Sequence, residues 1–373
     1  MAQETRSPLQ TRREALRLLG IGAGATALSN FASAAAPAIP NGAIIRTVLK
    51  DCRPDELAGG ATLFHEHLSL APDFLTRFER YSAETRALNG PSAPALPAAP
   101  TEAFMQDMEL MTNELAIARR EGIGCIVDGG HPDMGRDIAA LRQLSMRSGM
   151  PIVAGAGFYT QPFYPNALAA MTEDQIARAL IQQAESDRAG VFGEIGSWDD
   201  MTATERKVFR AIAKAHAATN LSIFTHTGIP GKAALEQLDI LEDSGVAPNR
   251  IAIGHLGNLV DPSVQVHKAI CRRGAFVGFD RQGRPEDAQQ VPLVMALLDA
   301  GFADNLLFSS DLARANALKR FDNTLGYAKT LTVFVPKLKA AGASDDVLRR
   351  IMVDNSRRFL AFVPKPNTTN RKS

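Results

Sequence analysis

The chain has little cysteine and almost no excess charge, and it lacks long apolar runs. Three cysteines occur in 373 residues and none forms a Cys-x-x-Cys pair, so nothing supports a zinc finger or a thioredoxin motif. The formal net charge of +1 is too small for the basic footprint of a nucleic-acid-binding protein. No apolar run reaches the ~18 residues of a membrane span, so we expect no such span in the mature chain.

The first residues have the pattern of an export signal. Arg12-Arg13 precedes a mildly apolar stretch over residues 18–28 and then Ala32-Ser33-Ala34, a small-x-small cleavage sequence. This order resembles a twin-arginine signal peptide, with Ala15 where phenylalanine is more usual. We predict that residues 1–34 engage the twin-arginine export machinery and that the mature protein is periplasmic or secreted. An ordinary disordered tail is the alternative.

Short apolar runs alternate with longer amphipathic stretches along the rest of the chain. Strands that alternate with helices imply parallel βαβ units. Eight such units predict a single (β/α)8 TIM barrel over residues 51–363, after a lead-in at 35–50 and before a polar tail at 364–373. A doubly wound open sheet is the alternative. The predicted strands are Ala61–Phe64, Gly124–Asp128, Ile152–Ala156, Val191–Ile195, Leu221–Thr225, Ile251–Gly254, Ala275–Phe279 and Leu306–Ser309, and the predicted helices include Glu205–Ala218, Ala233–Ser244, Pro262–Arg273 and Pro292–Ala300.

One segment interrupts this alternation. Residues 71–100 follow the first predicted strand and end in a run dense in proline and alanine, from Asn89 to Pro100. Such composition cannot sustain a packed element. We expect a disordered insertion, with a lid over the active-site face of the barrel as the alternative.

Metal-binding residue types stand at the carboxyl ends of the predicted strands, where barrel enzymes keep their chemistry. The first strand ends in His65-Glu66-His67, and residues i and i+2 of a strand share a face, so both imidazoles can bind one ion. The later strand ends supply Glu194, His226, His255 and Asp311. Together with His65 and His67 they make six convergent nitrogen and oxygen ligands, which exceed the need of one catalytic zinc and fit two divalent ions. Zinc is the first choice, with manganese, cobalt or iron as alternatives.

This pattern resembles the phosphotriesterase family of the amidohydrolase superfamily, over roughly residues 44–363. Many relatives place a carbamylated lysine between the two ions, whereas the glutamate here resembles the subgroup called phosphotriesterase homology proteins. The resemblance implies a binuclear metal barrel and allows a homodimer. It divides the ligands into His65, His67 and Asp311 for the more buried ion, His226 and His255 for the more exposed ion, and Glu194 as the bridge.

Three further residues are predicted to contact substrate: Arg281, Tyr159 and Arg314. The pair Asp280-Arg281 resembles the Asp-Arg pair that the lactonases of this family carry. Phosphotriesterases proper carry a histidine where Arg281 stands. Tyr159 occupies the place of a substrate-facing tyrosine in those lactonases, and a packing aromatic is its alternative role. A basic cluster in the last two loops could recognise an anionic substrate group, with solvated loop charge as the alternative; it comprises Arg281, Arg284, Arg314, Lys319 and Arg320.

The resemblance implies a metal-dependent hydrolase that uses a metal-bridging hydroxide on a small-molecule lactone, carboxyl ester or phosphoester. Asp311 is the predicted catalytic residue, which takes a proton from the water and returns it to the leaving oxygen. One alternative is an amide or carbamate hydrolase of the same fold. Another is a metal-binding protein without turnover.

Overall fold

The predicted export signal and the end of the polar tail lie outside the residues that can be described. The proline-rich part of the insertion, from residue 90 to residue 102, lies outside them as well. The structure, a computed structural model, describes residues 38–89, 103–228, 231–259, 261, 263–322 and 324–365.

Eight parallel strands form one sheet whose spatial order follows the chain order. The first and the last strand meet through Ser309, whose hydroxyl accepts from the backbone N–H of His65 (3.1 Å) and donates to its carbonyl (2.6 Å). This arrangement confirms the (β/α)8 barrel, and the open doubly wound sheet was wrong. A short hairpin of β1 (Ile45–Arg46) and β2 (Asp51–Cys52) precedes the barrel strands β3 (Ala61–Glu66), β4 (Ile123–Asp128), β5 (Ile152–Ala156), β6 (Val191–Ser197), β7 (Ile223–Thr227), β8 (Ile251–Ile253), β9 (Phe276–Phe279) and β10 (Leu306–Phe308).

Helices connect the strands, and most predicted helix bounds agree within a few residues. The helix predicted to begin at Pro292 was misplaced, because it begins at Asp287 and carries the proline inside it. The Asp287 carboxylate accepts from the backbone N–H of Gly283 (3.0 Å), which fixes the chain before the first turn. The helices are α1 (Phe74–Asn89), α2 (Met108–Arg120), α3 (Ile138–Ser148), α4 (Glu173–Ser186), α5 (Ala203–Thr219), α6 (Ala234–Asp243), α7 (Gln265–Arg272), α8 (Asp287–Asp299), α9 (Val335–Ala340), α10 (Asp345–Arg349) and α11 (Ser356–Leu360).

Helix α1 corrects the prediction that residues 71–100 hold no packed element. Phe74 is buried, and its ring centroid lies 5.0 Å from that of Phe163 and 5.7 Å from that of Tyr159. Phe74 and Phe78 are four residues apart and therefore share one face of the helix. That aromatic face was overlooked because the four prolines between residues 91 and 100 dominated the composition of the segment.

Apolar side chains fill the barrel below the predicted site. Phe64, Phe224 and Phe276 are fully buried inside it, and each contributes roughly 1.5–3 kcal/mol through burial. The β1–β2 hairpin closes the amino-terminal end through Ile45, which belongs to the same cluster. The polar ligands are thus confined to the opposite end. Among the described residues, no helix has both the length and the apolar character needed to cross a bilayer.

Candidate metal centre

Glu194 lies at the centre of the predicted ligand set, at the carboxyl end of the barrel. Its two carboxylate oxygens face different histidines. Oε1 lies 3.5 Å from His65 Nε2 and 3.2 Å from His67 Nε2. Oε2 lies 2.9 Å from His226 Nδ1 and 3.4 Å from His255 Nε2. One carboxylate therefore divides four imidazoles into two pairs, as a bridge between two ions requires.

Asp311 completes the first pair. Its Oδ1 lies 3.1 Å from His67 Nε2 and 3.8 Å from His65 Nε2, while its Oδ2 accepts from Arg281 Nε at 3.0 Å. The candidate ligand atoms of His65, His67 and Asp311 all lie within 4.8 Å of one another. The fold thus brings together all six residues that the sequence singled out, and their role as ligands remains a prediction.

The nitrogens of the histidines test whether a metal fits. Nδ1 of His65 and Nδ1 of His255 lie 3.0 Å and 2.9 Å from the two oxygens of Asp280. Those hydrogen bonds place the ring protons on Nδ1 and leave both Nε2 lone pairs directed into the site. His65 Nε2 is buried and has no hydrogen-bond partner in the described part of the chain. Inward lone pairs beside two carboxylates suit divalent zinc or a neighbouring metal.

The pKa shifts describe the same charge pattern. Burial lowers the pKa of His67, but hydrogen bonds to Asp311 and Glu194 outweigh burial and raise it to about 9. Burial raises the pKa of Glu194, yet the neighbouring His65 and His226 hold it well below its usual range. The carboxylates stay anionic and draw positive charge into the cluster. Divalent cations would supply that charge in place of protons.

Two candidate ligands have left-handed backbone conformations. His255 has φ 61° and Asp311 has φ 46°, and such conformations cost a non-glycine residue roughly 1–2 kcal/mol. Their side chains are fixed by Asp280 and Arg281, so the surrounding hydrogen bonds hold the strained backbone in place. Gly193, just before Glu194, has φ 144°, and a Cβ there would collide with the Phe224 ring.

Glu66 supports the last strand end and does not face the candidate ligands. The carboxylate is fully buried and accepts from Ser309 Oγ (2.7 Å), the backbone N–H of Ser310 (2.7 Å) and that of Leu312 (2.9 Å). These bonds hold the turn that carries Asp311. Glu66 points away from His65 and His67, as alternation along a strand requires.

Sequence reasoning missed two supporting side chains. Asp280, noted only as part of a family motif, binds both His65 and His255. His131, which was not among the predicted site residues, lies with Nε2 2.9 Å from the Glu194 carbonyl oxygen and Nδ1 2.5 Å from Asp133. Asp280 directly follows a predicted strand and His131 lies three positions after one, and those positions were the available clue.

Comparison with known proteins agrees with this geometry. The model of the phosphotriesterase family matches residues 45–360. The chain belongs to the phosphotriesterase family. The N-acetyltaurine hydrolase of Xenopus tropicalis is 26% identical over 351 residues, which cover 85% of this chain and 98% of that protein.

Solved structures place this phosphotriesterase-family protein beside two kinds of relatives. A phosphotriesterase homology protein from Escherichia coli, complexed with phosphate in its active site, superposes with a TM-score of 0.69 at 26% identity, covering 81% of this chain and 99% of that one. A lactonase from Listeria monocytogenes superposes with a TM-score of 0.71 at 25% identity, covering 85% and 98%. The predicted family and subgroup are confirmed.

Aromatic side chains cover one side of the site in this phosphotriesterase-family protein. Tyr159 Oη lies 3.2 Å from His226 Nδ1, and the Trp198 ring centroid lies 5.6 Å from that of His226. Phe78 of α1 packs on Trp198 at 5.5 Å. His226 itself is 1% exposed, so these rings exclude water from this half of the site. We call this group the aromatic wall; it comprises Phe74, Phe78, Tyr159, Phe163 and Trp198.

Positively charged side chains lie on the side of the candidate metal centre that contains Asp311. Arg281 is buried, Arg284 is half-buried with Nη2 3.3 Å from the Asp311 carbonyl oxygen, and Lys329 is 1% exposed. We call Arg281, Arg284 and Lys329 the cationic wall. Sequence analysis missed Lys329, which lies 18 positions after Asp311 in a segment with no motif.

The other basic residues of the predicted cluster have different surroundings. Arg314 forms an ion pair with Glu79 of α1, with Nη2 2.8 Å from Oε1. Lys319 pairs with Glu121 at 2.8 Å. Arg320 is exposed. Of the predicted substrate contacts, Tyr159 and Arg281 therefore lie against candidate ligands, and Arg314 ties the end of the barrel to α1.

Proposed function

We propose that this protein is a binuclear metal-dependent hydrolase of small acyl compounds, with an N-acyl amide as the first substrate class and a lactone as the second. The observation that carries the proposal is the division of four imidazoles between the two oxygens of Glu194. A single catalytic ion needs three protein ligands, so six grouped around a central carboxylate favour two ions.

The chain would hold the two ions with His65, His67 and Asp311 on one side and His226 and His255 on the other, sharing Glu194. Bound there, such ions lower the pKa of water towards ~7 and polarise the acyl oxygen. Asp280 keeps two of the histidines oriented, and His131 holds the backbone of Glu194. The six proposed ligands are His65, His67, Glu194, His226, His255 and Asp311.

Asp311 is the proposed proton carrier. It accepts a proton from the attacking water and returns it to the leaving nitrogen or oxygen. Burial raises the pKa of Asp311, but His67, His65 and Arg281 together hold it well below its usual range. The carboxylate is therefore ready to accept at neutral pH. Once protonated, it is a strong acid that releases the proton readily to a poor leaving group.

The choice of substrate rests on the relatives and on the site. The Xenopus relative is named for hydrolysis of an amide, N-acetyltaurine, and the present chain matches it over almost its whole length. The Listeria relative is a lactonase, and Tyr159 and Arg281 lie beside the candidate ligands as the lactonase resemblance implies. Carboxyl esters and phosphoesters are chemically accessible to the same site and belong in the same substrate panel.

Metal analysis and one variant test this proposal. We expect about two equivalents of divalent metal per chain, loss of hydrolysis after chelation and recovery with zinc, manganese or cobalt. Asp311→Asn should lower kcat by about 10²–10⁴-fold, the range expected for a positioned acid/base. The matched control is Asp346→Asn on exposed α10, which should behave as wild type.

Two results would count against this function. Near-normal kcat in the metal-loaded Asp311→Asn protein would remove Asp311 from proton transfer. No hydrolysis of any amide, lactone, ester or phosphoester by the metal-loaded protein would favour the alternative of a metal-binding protein without turnover. Export through residues 1–34 also stays a proposal, which N-terminal sequencing of exported protein would test.

A further inference from the structure

The cationic wall carries hydrogen-bond donors that its own surroundings leave unused. Arg281 donates to Asp311 through Nε alone, and no other side-chain N–H of this guanidinium has a partner within the described residues. Among the described residues, the Arg284 side chain donates through Nη2 alone, to the carbonyl of Asp311. Both guanidinium groups therefore keep free N–H groups next to the candidate metal centre.

Lys329 is the most unusual member of the wall. Its stem lies along the backbone of Gly283, where an added Cβ would come within 2.7 Å of Cδ. The side chain is 1% exposed, yet its ammonium forms no hydrogen bond or ion pair in the parts of the chain that the structure describes. Buried charged groups are nearly always paired. The N–H groups of this ammonium are therefore available to an added anion.

The nearest acidic groups are already engaged elsewhere. Asp287 pairs with Lys337 at 2.7 Å. The Glu66 carboxylate accepts from the serines and the backbone around Asp311. Asp311 itself faces His67 with one oxygen. In the described part of the chain, none of these carboxylates lies within hydrogen-bond or ion-pair distance of the Lys329 ammonium or of the Arg284 guanidinium.

We propose that Arg284 and Lys329, together with the free nitrogens of Arg281, form a subsite for a sulfonate or carboxylate on the substrate. The inference rests on the proposed function, because it assigns an anionic tail to the acyl compound hydrolysed at the neighbouring centre. A guanidinium fork and an ammonium donate to several oxygens of one anion at once. A neutral substrate of the same length would leave those charges unpaired.

Matched substrates test the subsite. N-acetyltaurine carries a sulfonate, N-acetyl-β-alanine carries a carboxylate, and the N,N-dimethylsulfonamide of N-acetyltaurine is the neutral counterpart. Lys329→Met keeps the length of the stem, and Arg284→Gln keeps a polar side chain. For each variant we expect kcat/KM to fall about 10-fold or more on the anionic amides and less than about 2-fold on the neutral one, since a hydrogen bond to a charged group is lost only with the anions. Comparing the two anions distinguishes sulfonate from carboxylate preference.

Arg320→Gln is the matched control, since Arg320 belongs to the same predicted basic cluster, is exposed and contacts no candidate ligand among the described residues. It should leave every kcat/KM within about 2-fold of wild type. Equal losses on charged and neutral amides in both Lys329→Met and Arg284→Gln would overturn the subsite and assign these residues a purely structural role.

A binding measurement separates this inference from the proposed function. Its probe is the ketone analogue of N-acetyltaurine, in which a methylene replaces the amide nitrogen, titrated calorimetrically into the metal-loaded protein. If wild type binds the analogue about 10-fold more tightly than either variant does, the subsite stands even where no amide is hydrolysed. If affinity is unchanged in both variants, the subsite is wrong even where hydrolysis is confirmed.

Discussion

The aromatic wall lies against His226 and the cationic wall lies against Asp311 of the same candidate metal centre, yet they are built in opposite ways. The aromatic rings pack mainly on one another, with centroid separations of 5.0–5.7 Å, and the Tyr159 hydroxyl lies against His226. The polar exception is Trp198 Nε1, which is buried without a partner in the described part of the chain. The cationic wall leaves most of its donors unused. One side can enclose an apolar acyl group, and the other can bind an anion.

Among the changes that test the difference between the two walls, Phe78→Ala is expected to have the largest effect on kcat/KM. Phe78 joins α1 to Trp198 and approaches His226 at 6.5 Å between ring centroids. Losing this cover should lower kcat/KM by about 10-fold through looser positioning and water entry. The loss should be equal for anionic and neutral amides, because Phe78 carries no charge. Steady-state kinetics on the matched substrates checks this, and a loss confined to the anionic amides would break the distinction between the walls.

Raising the pH is expected to have an intermediate effect, on KM for the anionic substrate. Burial and the neighbouring Arg284 lower the pKa of Lys329, while Glu66, Asp311 and Asp287 act in the opposite direction, so that it titrates at about 8. Below that pH the ammonium is charged and binds the anion; above it the proton is lost. KM for N-acetyltaurine should therefore rise above pH 8 and level off near the roughly 10-fold loss expected for Lys329→Met, because deprotonation removes only the charge of this side chain.

The neutral sulfonamide and the Lys329→Met protein provide the controls for the pH experiment. KM for the neutral amide should stay level between pH 7 and pH 9, and the variant should lose the difference between the two substrates. A KM for N-acetyltaurine that does not change over this range in wild type would show that Lys329 does not face the anion.

The smallest effect is expected at the ion pair that joins α1 to the barrel. Glu79 and Arg314 are 27% and 22% exposed, and such pairs contribute about 0.2–1 kcal/mol. Glu79→Gln and Arg314→Gln should each lower kcat/KM by at most about 5-fold, equally on both substrates. The double variant should be no worse than the single ones, because both remove one interaction. Glu109→Gln on the exposed face of α2 is the control.

A different result at Arg314 would change the assignment of that residue. If Arg314→Gln affects only the anionic amides while Glu79→Gln has no effect, Arg314 contacts substrate as the sequence predicted. It would then belong to the cationic wall.

Much of the fold and the ligand set could be predicted because both depend on local patterns. Each barrel strand is a short apolar run, and His65, Glu194, His226, His255 and Asp311 all stand at or just beyond the ends of such runs. Parallel strands carry their carboxyl ends to the same face of a barrel, so these residues had to converge. The start of α8 was misplaced because the residue that fixes it, Asp287, acts through a contact with Gly283.

The sequence by itself determined the barrel, the family and the convergence of the six candidate ligands, because periodicity and strand ends are properties of neighbouring residues. Only the tertiary structure decided what surrounds them. Helix α1 folds over His226 although its segment ends in a proline-rich run, since its aromatic face finds partners on β5 and β6 loops far away in the chain. Lys329 lies beside Arg284 because its side chain packs on Gly283, and no local pattern records that contact.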